Sequence, residues 1–192
     1  MQYESRRAAS IMLLAALSAA AIAADKPAAR FELHSPDAQL KVGMPMVYVA
    51  NEFGCTGGNT SPPLAWRNAP AGTRSFVVTL FDRDERSTPS GWWHWVLYDI
   101  PANVDHLAAG AGAENGKTLP PGALHGRTDL GNAAYHGPCP DKGDPPHRYV
   151  FTIYALGIDK LPVSAGSSGA MVTSTTRDSL LGKAVFVAHF AR

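Results

Sequence analysis

Three long apolar runs constrain this chain more than any other feature of its sequence. They are Ser75–Asp82, Trp92–Ile100 and Arg148–Leu156. Each run is rich in β-branched and aromatic residues and is followed by turn-forming residues such as Pro, Gly or Asp, which is typical of β-strands. Because the runs are nearly continuously apolar instead of alternating, they predict strands that are buried on both faces.

Several weaker segments complete a mainly β pattern. The weaker strand candidates are Phe31–His34, Met46–Ala50, Lys183–Phe190 and a possible strand near Ala123–Arg127. At 45% hydrophobic and 17% charged residues, the chain can bury a core and is not disordered by composition. We therefore expect a mainly β domain with a large central antiparallel sheet, a smaller second sheet and few peripheral helices.

One helix and two irregular loops are predicted between these strands. Ser167 or Ser168 can cap the helix, and Gly182 suits the position after its end. Its apolar contacts would come from Met171, Val172, Leu180 and Leu181. The segments Asn51–Pro63 and Ala108–Pro146 show little periodicity, and loops of such length in a compact domain are usually functional.

The first 24 residues differ in character from the rest of the chain. Residues 1–24 begin with a short positive head at Arg6-Arg7, continue as an apolar run and carry the small-x-small pattern Ala21-Ile22-Ala23. This is the pattern of a secretory signal peptide. The alternative, an amphipathic helix of the domain, would need a polar face that the run lacks. We predict a signal peptide over 1–24 and one domain over 25–192.

Export and charge together limit the partners. Cleavage would leave a chain that starts at Ala24 or Asp25, in the periplasm or outside the cell. The apolar run is short and rich in Ala, so we expect no stable membrane insertion after cleavage. Loss of Glu4, Arg6 and Arg7 takes the formal net charge from +1 to zero. Since Lys and Arg do not cluster either, we expect no nucleic-acid partner.

The two cysteines, Cys55 and Cys139, lie in neither a Cys-x-x-Cys nor a zinc-ligand spacing. Export to an oxidising compartment favours a disulfide between them. Such a bridge would join the Asn51–Pro63 loop to the Gly137–Pro140 segment. Two unrelated buried thiols are the alternative.

Polar side chains stand at one end of each long strand. Asp82 lies at the carboxyl end of its run, whereas His94, His147 and Tyr149 lie near the amino ends of theirs. Antiparallel pairing would bring these ends to one edge of the sheet, and so predicts a small pocket containing all four groups. The alternative is that the histidines are merely hydrogen-bonded in the core and that Asp82 caps a turn.

Side-chain alternation makes this placement more specific. It puts Asp82 on the face of Phe76, Val78 and Leu80, and it puts His147 with Tyr149, Phe151 and Ile153. In the remaining long strand it puts His94 on one face with Trp92, Val96, Tyr98 and Ile100.

Three motifs carry a resemblance to a known family. Ser61–Trp66 reads Ser-Pro-Pro-Leu-Ala-Trp, Asp82-Arg83-Asp84 is followed by Gly91-Trp92-Trp93-His94-Trp95, and Gly137-Pro138-Cys139-Pro140 is followed by His147-Arg148-Tyr149. In order and spacing these elements resemble the phosphatidylethanolamine-binding protein family, also called Raf-kinase-inhibitor-like proteins, in its bacterial secreted branch. The resemblance covers about residues 30–190.

The resemblance implies a small anion pocket at matching positions. Its polar lining corresponds to Asp82, His94, His147 and Tyr149, and Asp84 matches the second acid of the first motif. Its wall corresponds to Gly137, Pro138, Cys139 and Pro140. The ligand would be a phosphate, a phosphomonoester or a carboxylate head group.

An anion beside Asp82 requires compensation, because like charges disfavour each other. We expect His94 and His147 each to carry a proton near neutral pH and to donate to the anion. Tyr149 and the backbone N–H groups near Cys139 could donate as well. Several residues depart from the family pattern and place charge at the rim: Arg83, Glu85, Arg86 and Asp141.

These features favour a secreted binding protein for a small anion that modulates a protein partner, and not an enzyme. One alternative is an inhibitor of kinases or proteases that acts through its surface. A second is a metal-dependent hydrolase, since an Asp and two His can ligate a metal. The sequence contains neither His-Glu-x-x-His nor Gly-x-Ser-x-Gly. We therefore expect no metal and no cofactor.

Overall fold

The computed structural model describes residues 29–192. The predicted signal peptide over 1–24 lies outside the described residues. Eight strands follow one another along the chain: β1 Glu32–His34, β2 Leu64–Arg67, β3 Ser75–Asp82, β4 Trp92–Pro101, β5 His106–Leu107, β6 Leu124–His125, β7 His147–Leu156 and β8 Leu180–Phe190. The helix α1 spans Gly169–Thr175, and short 3-10 helices cover Ala38–Lys41, Met46–Tyr48 and Thr176–Ser179.

The strands form two antiparallel sheets. The smaller has three strands in the order β1-β2-β5, and the larger has five in the order β6-β4-β3-β7-β8. The prediction of a mainly β fold with a large central sheet and a smaller second sheet is confirmed. The three long apolar runs occupy the centre of the large sheet as β4, β3 and β7.

The central strands are buried on both faces, as their composition predicts. The main core lies between the two sheets, where Phe76 of β3 contacts the Trp66 ring at a centroid distance of 5.4 Å. A second cluster on the opposite face packs Val77, Val96 and Tyr98 against Val172 of α1. This double burial leaves little room for polar side chains except where a strand ends.

Two predicted elements differ in the structure. Met46–Ala50 is not a strand: Met46–Tyr48 forms a 3-10 helix after Pro45, whose carbonyl oxygen accepts from Tyr48 N at 2.9 Å. Proline fixes its own backbone and thereby favours a tight turn at this point. The Tyr48 hydroxyl also donates to Asp37 Oδ2 at 2.7 Å, which fixes the turn to the chain before it.

The helix is shorter than its apolar pattern predicts. Ser168 caps it, accepting a hydrogen bond from Met171 N, but α1 ends at Thr175. Leu180, Leu181 and Gly182 belong to β8, so the expectation that they complete the helix is wrong. Pairing along the whole of β7 extends the last strand toward its amino end, and this long-range pairing outweighs local helix propensity.

The long loop between β6 and β7 is held across one end of the large sheet. The Tyr135 hydroxyl donates to Tyr48 O at 2.7 Å, and His136 N donates to His94 O at 2.9 Å. Gly137 permits the closest approach, because a Cβ at this position would lie 2.3 Å from Tyr48 O. Within residues 29–192, no helix has the length and apolar character needed to cross a membrane.

Candidate ligand-binding site

The structure brings the four predicted polar side chains together at one edge of the large sheet. Asp82 of β3 pairs with Tyr149 of β7 in the antiparallel register, and His147 Nδ1 donates to Asp82 Oδ2 at 2.7 Å. The Tyr149 ring lies 6.3 Å from the His147 ring and 5.4 Å from the His94 ring, between centroids. All four side chains are buried, none with more than 6% of its surface exposed.

His94 reaches this group through a β-bulge. Leu80 pairs with Trp95 and Phe81 pairs with Trp93, so that His94 is an extra residue in β4. A bulge lets two successive side chains turn toward one face, and here both His94 and Trp95 face the main core.

The alternation predicted for β4 is therefore wrong beyond His94. Val96 and Tyr98 lie in the cluster beneath α1, on the opposite face. A second irregularity near Asp99, whose φ of 57° is left-handed, returns Ile100 to the main core. Bulges of this kind depend on the neighbouring strands, so side-chain alternation alone does not reveal them.

Asp82 and His147 form a buried ion pair. Asp82 Oδ1 accepts from the backbone N–H groups of Asp84 and Glu85 at 2.8 Å and 3.2 Å, so both carboxylate oxygens are engaged. Burial by itself would lower the pKa of His147, but the hydrogen bond and charge of Asp82, together with Asp144, outweigh it and raise that pKa. The positive charge expected on His147 is thus supported by its surroundings.

His94 has the opposite electrostatic character. Burial, reinforced by the neighbouring His136, lowers the pKa of His94 to about 3. Its Nδ1 lies 2.9 Å from the carbonyl oxygen of His136, which can only accept. The expectation that His94 carries a positive charge near neutral pH is therefore wrong. The ring is neutral, and its one nitrogen-bound proton is on Nδ1.

A cavity of about 430 Å³ opens beside His94. It is lined by Phe53, Glu85, Ser87, Trp92, His94, Leu130, His136, Cys139 and Asp141. Of the predicted site residues, only His94 and Cys139 line it. Asp82, His147 and Tyr149 are buried and do not line it, so the prediction of one small pocket containing all four groups is wrong.

His136 is the main lining residue that the sequence analysis missed. Its ring stacks on the His94 ring with 5.9 Å between centroids, and its Nε2 lies 3.2 Å from Glu52 Oε1. The Phe53 ring meets the other side of His136 edge-on at 5.9 Å. The one available signal was its position directly before Gly137, in a loop without periodicity.

Asp84 serves a structural role. Its Oδ2 accepts from Arg148 N at 2.8 Å and from Arg148 Nε at 2.9 Å, and its Oδ1 accepts from Arg148 Nη2 at 2.6 Å. These hydrogen bonds lower the pKa of Asp84 to about 2. Asp84 does not line the cavity, and so its predicted place among the ligand-binding residues has no support in this geometry.

The segment Gly137–Pro140 forms a wall of the cavity through Cys139 alone. Gly137 N donates to Asn59 Oδ1 at 2.8 Å, and Pro138 O accepts from Ala50 N at 3.1 Å, so backbone contacts hold the segment on the loop before β2. The predicted disulfide between Cys55 and Cys139 is present, with Cα atoms 6.0 Å apart. The alternative of two separate thiols is thereby excluded.

Asp82, Glu85 and His147 place one ligand atom each within 4.8 Å of one another. They are the residues of the described chain best placed to hold a metal ion. The Asp82–His147 hydrogen bond already joins two of the atoms that such an ion would need, so a metal would have to displace it.

Comparison with known proteins identifies the family. The sequence model of the family "Phosphatidylethanolamine-binding protein" matches residues 35–191. The chain is 48% identical over 145 residues to UPF0098 protein YbcL of Escherichia coli K12, covering 76% of this chain and 79% of YbcL. It is 45% identical over 148 residues to UPF0098 protein YbhB of the same organism, covering 77% of this chain and 92% of YbhB.

Structure comparison agrees with the sequence. The crystal structure of E. coli YbcL, described as a new member of the mammalian PEBP family, superposes with a TM-score of 0.81 at 42% identity, covering 85% of this chain and 99% of that one. A lipoprotein-named relative, LppC of Mycobacterium tuberculosis, is 30% identical over 139 residues, covering 72% of this chain and 64% of LppC. The chain belongs to the phosphatidylethanolamine-binding protein family, as its motifs predict.

Proposed function

We propose that this chain is an exported binding protein whose cavity beside His94 takes a small phosphoryl head group. One observation carries the proposal: a hydrogen-bonding atom of the cavity lining, His136 Nδ1, is buried without a partner among residues 29–192. Each such atom costs about 1–3 kcal/mol unless a ligand or ordered water satisfies it.

The size of the cavity supports a small ligand. About 430 Å³ lies within the range of about 300–1,000 Å³ that is usual for small-molecule sites. Its walls combine the apolar side chains of Phe53, Trp92 and Leu130 with a few polar groups. The ligand would therefore be a head group with a short organic part.

Donors behind and beside the lining could hold an anionic group. Tyr149 Oη is a hydrogen-bond donor, and the raised pKa of His147 favours a positive charge on that ring beside Asp82. Pro138 and Pro140 have no N–H, whereas Cys139 between them has one and lines the cavity. These donors would compensate a negative ligand without any cluster of Lys or Arg.

The same geometry supports binding without catalysis. Ser87 is the one hydroxyl side chain in the lining, its carboxylate partner is Glu85, and no histidine base is hydrogen-bonded to it among residues 29–192. Nucleophilic catalysis needs such a base within hydrogen-bond reach.

Export is part of the proposal. A disulfide is stable in an oxidising compartment, and LppC bears the name of a lipoprotein, which supports an envelope or secreted location. The periplasm is the compartment that we propose.

Calorimetric titration tests the binding proposal. We expect inorganic phosphate or phosphoethanolamine to bind the purified protein. Leu130→Trp, which fills the cavity, should abolish this binding, and Leu124→Trp, on a partly exposed edge strand outside the cavity, should leave it unchanged. Absence of binding for both ligands, with native mass spectrometry showing no co-purified molecule, would refute the proposal.

A further inference from the structure

The position of the proton on the His94 ring restricts the ligand further than the neutral charge of the ring does. Because Nδ1 faces the His136 carbonyl oxygen at 2.9 Å, the ring proton stays on Nδ1. Neutral imidazole has one proton, so Nε2 carries a lone pair and accepts hydrogen bonds. His94 lines the cavity, and Nε2 is the ring nitrogen left for a ligand.

The groups that face His94 keep it in this state. The ring of His136 stacks on one side and the Tyr149 ring meets it edge-on. His147 and His136 oppose a positive charge on His94, whereas the Glu85 carboxylate favours one. Burial outweighs the effect of Glu85, because it is the largest of the influences on the pKa of His94.

Other groups in the lining are acceptors too. Glu85 Oε1 accepts from Ser87 N at 2.7 Å. The Asp141 carboxylate also borders the cavity. An anion that has only acceptor oxygens therefore meets acceptor atoms at several points of the lining.

We infer that the cavity selects a ligand that presents a proton to His94 Nε2, so that among oxyanions it takes a phosphoryl group bearing a P–O–H and rejects a fully ionised group such as sulfate. The inference rests on the proposed function and names its ligand class. The deprotonated oxygens of the phosphoryl group would accept from the donors named above, and its P–O–H would donate to His94 Nε2. Sulfate has the same tetrahedral shape but no proton at neutral pH, which leaves His94 Nε2 facing an acceptor.

Phosphate esters and free phosphate differ in the pH up to which they keep this proton. A phosphomonoester loses its last P–O–H above a pKa of about 6, whereas inorganic phosphate keeps one at any pH at which proteins are usually folded. If the natural ligand is an ester, its affinity should fall as the pH rises from about 5 to 8. Binding of inorganic phosphate should change much less over the same range.

The test is a calorimetric comparison of sodium phosphate, sodium sulfate and phosphoethanolamine at equal ionic strength and pH 7. We expect sulfate to bind at least about tenfold more weakly than phosphate, the loss typical of an unsatisfied buried acceptor. Equal affinities for sulfate and phosphate would overturn this inference and leave the proposed function standing. Failure of all three to bind would overturn the proposed function, and this inference with it.

A substitution of His94 tests whether this residue causes the preference for phosphate over sulfate. The amide of Gln can offer either its NH₂ or its oxygen near the place of Nε2, so His94→Gln should bring the phosphate-to-sulfate affinity ratio close to one. His189→Gln changes an exposed histidine of β8 and should keep the wild-type ratio. An unchanged ratio in His94→Gln would contradict the role of His94.

A direct measurement covers the case in which His94→Gln does not fold. Long-range ¹H–¹⁵N NMR spectra of the wild-type protein distinguish a protonated ring nitrogen from a bare one. We expect His94 Nε2 to be bare at pH 7. A protonated Nε2 in the free protein would overturn the inference.

Discussion

Tyr149 illustrates how a single buried atom can favour binding over stability. Its hydroxyl is fully buried without a well-formed hydrogen bond among the described residues, since its acceptor, the Asp82 carboxylate, already accepts from His147 and two backbone N–H groups. The buried Tyr135 hydroxyl, in contrast, donates to Tyr48 O at 2.7 Å. We expect Tyr149→Phe to raise the free energy of unfolding by about 1 kcal/mol, because it removes a poorly satisfied donor. The same change should weaken phosphate binding about three- to tenfold.

Tyr135→Phe is the matched control for this prediction. It leaves the Tyr48 carbonyl oxygen unpaired and should lower the free energy of unfolding by about 1 kcal/mol. Urea unfolding and phosphate titration of both variants provide the measurements. Destabilisation by Tyr149→Phe would mean that its hydroxyl already has a partner in the free protein.

His94 should also govern the stability of the protein in mild acid. Its pKa is about 3 in the folded protein, against 6.5 as the ordinary value of a histidine, so the unfolded chain binds a proton that the folded chain refuses between these values. Stability from this residue is complete above pH 6.5 and is lost as the pH falls, by up to about 1.4 kcal/mol per pH unit.

His147 contributes with the opposite sign. Its folded pKa is raised, so its stabilising contribution is present below the ordinary value of 6.5 and is lost as the pH rises through the folded pKa.

Urea unfolding from pH 4 to pH 8 tests the contribution of His94. His94→Gln should lose less stability toward acid than the wild type does, because it lacks the histidine that the unfolded chain protonates. Equal acid slopes in the two proteins would rule out a neutral buried His94.

Individual elements differ in how far the sequence predicts them. The limits of β3 are as predicted, and β4 and β7 each differ by one residue, because a long apolar run between turn residues has few alternatives. The bulge at His94 was not predictable, since it depends on how β3 and β4 pair. The four polar side chains are neighbours, as antiparallel pairing predicts, but the predicted pocket containing all four is wrong, because only His94 lines the cavity.

The wall of the cavity depends on the disulfide. Cys55 and Cys139 are 84 residues apart and are the two cysteines of the sequence, so a reductant acts on one known bond. Closing a loop of this length stabilises the folded chain by about 4–5 kcal/mol in the chain-entropy model, and losses of about 2–5 kcal/mol are usual when a native bridge is removed.

We expect reduction to weaken ligand binding beyond its effect on stability, because Cys139 and Phe53 both line the cavity and Phe53 lies two residues from Cys55. The measurement is phosphate titration of oxidised and reduced protein at a temperature where circular dichroism shows both to be folded. The Cys55→Ser/Cys139→Ser double variant should behave like the reduced protein in both buffers. Identical phosphate affinities in the bridged and unbridged forms would show that the wall holds its position without the bond.

At the scale of the whole molecule, the sequence predicts the family and the fold, but it does not predict which residues line the site. Two of the three motifs that carry the resemblance lie close to the ends of β3, β4 and β7, and these are the strands that the apolar pattern predicts best. The lining residues Phe53, Leu130 and His136 lie in loops without regular structure. Such loops take their positions from long-range contacts, for which local propensity and periodicity give no signal.

The last prediction concerns how the whole chain is made. If residues 1–24 are a signal peptide, removal after Ala23 or Ala24 and formation of the disulfide should both occur on export. Protein recovered from the periplasm of a bacterial host should have the mass of a chain that begins at Ala24 or Asp25, less two hydrogens for the bridge. Ala23→Phe places a large residue at the cleavage site and should retain the longer chain, whereas Ala15→Leu strengthens the apolar run and should be processed normally. Soluble, folded protein that retains Met1 would contradict the export of this chain, and the source of the oxidising conditions for its disulfide would then have to be sought elsewhere.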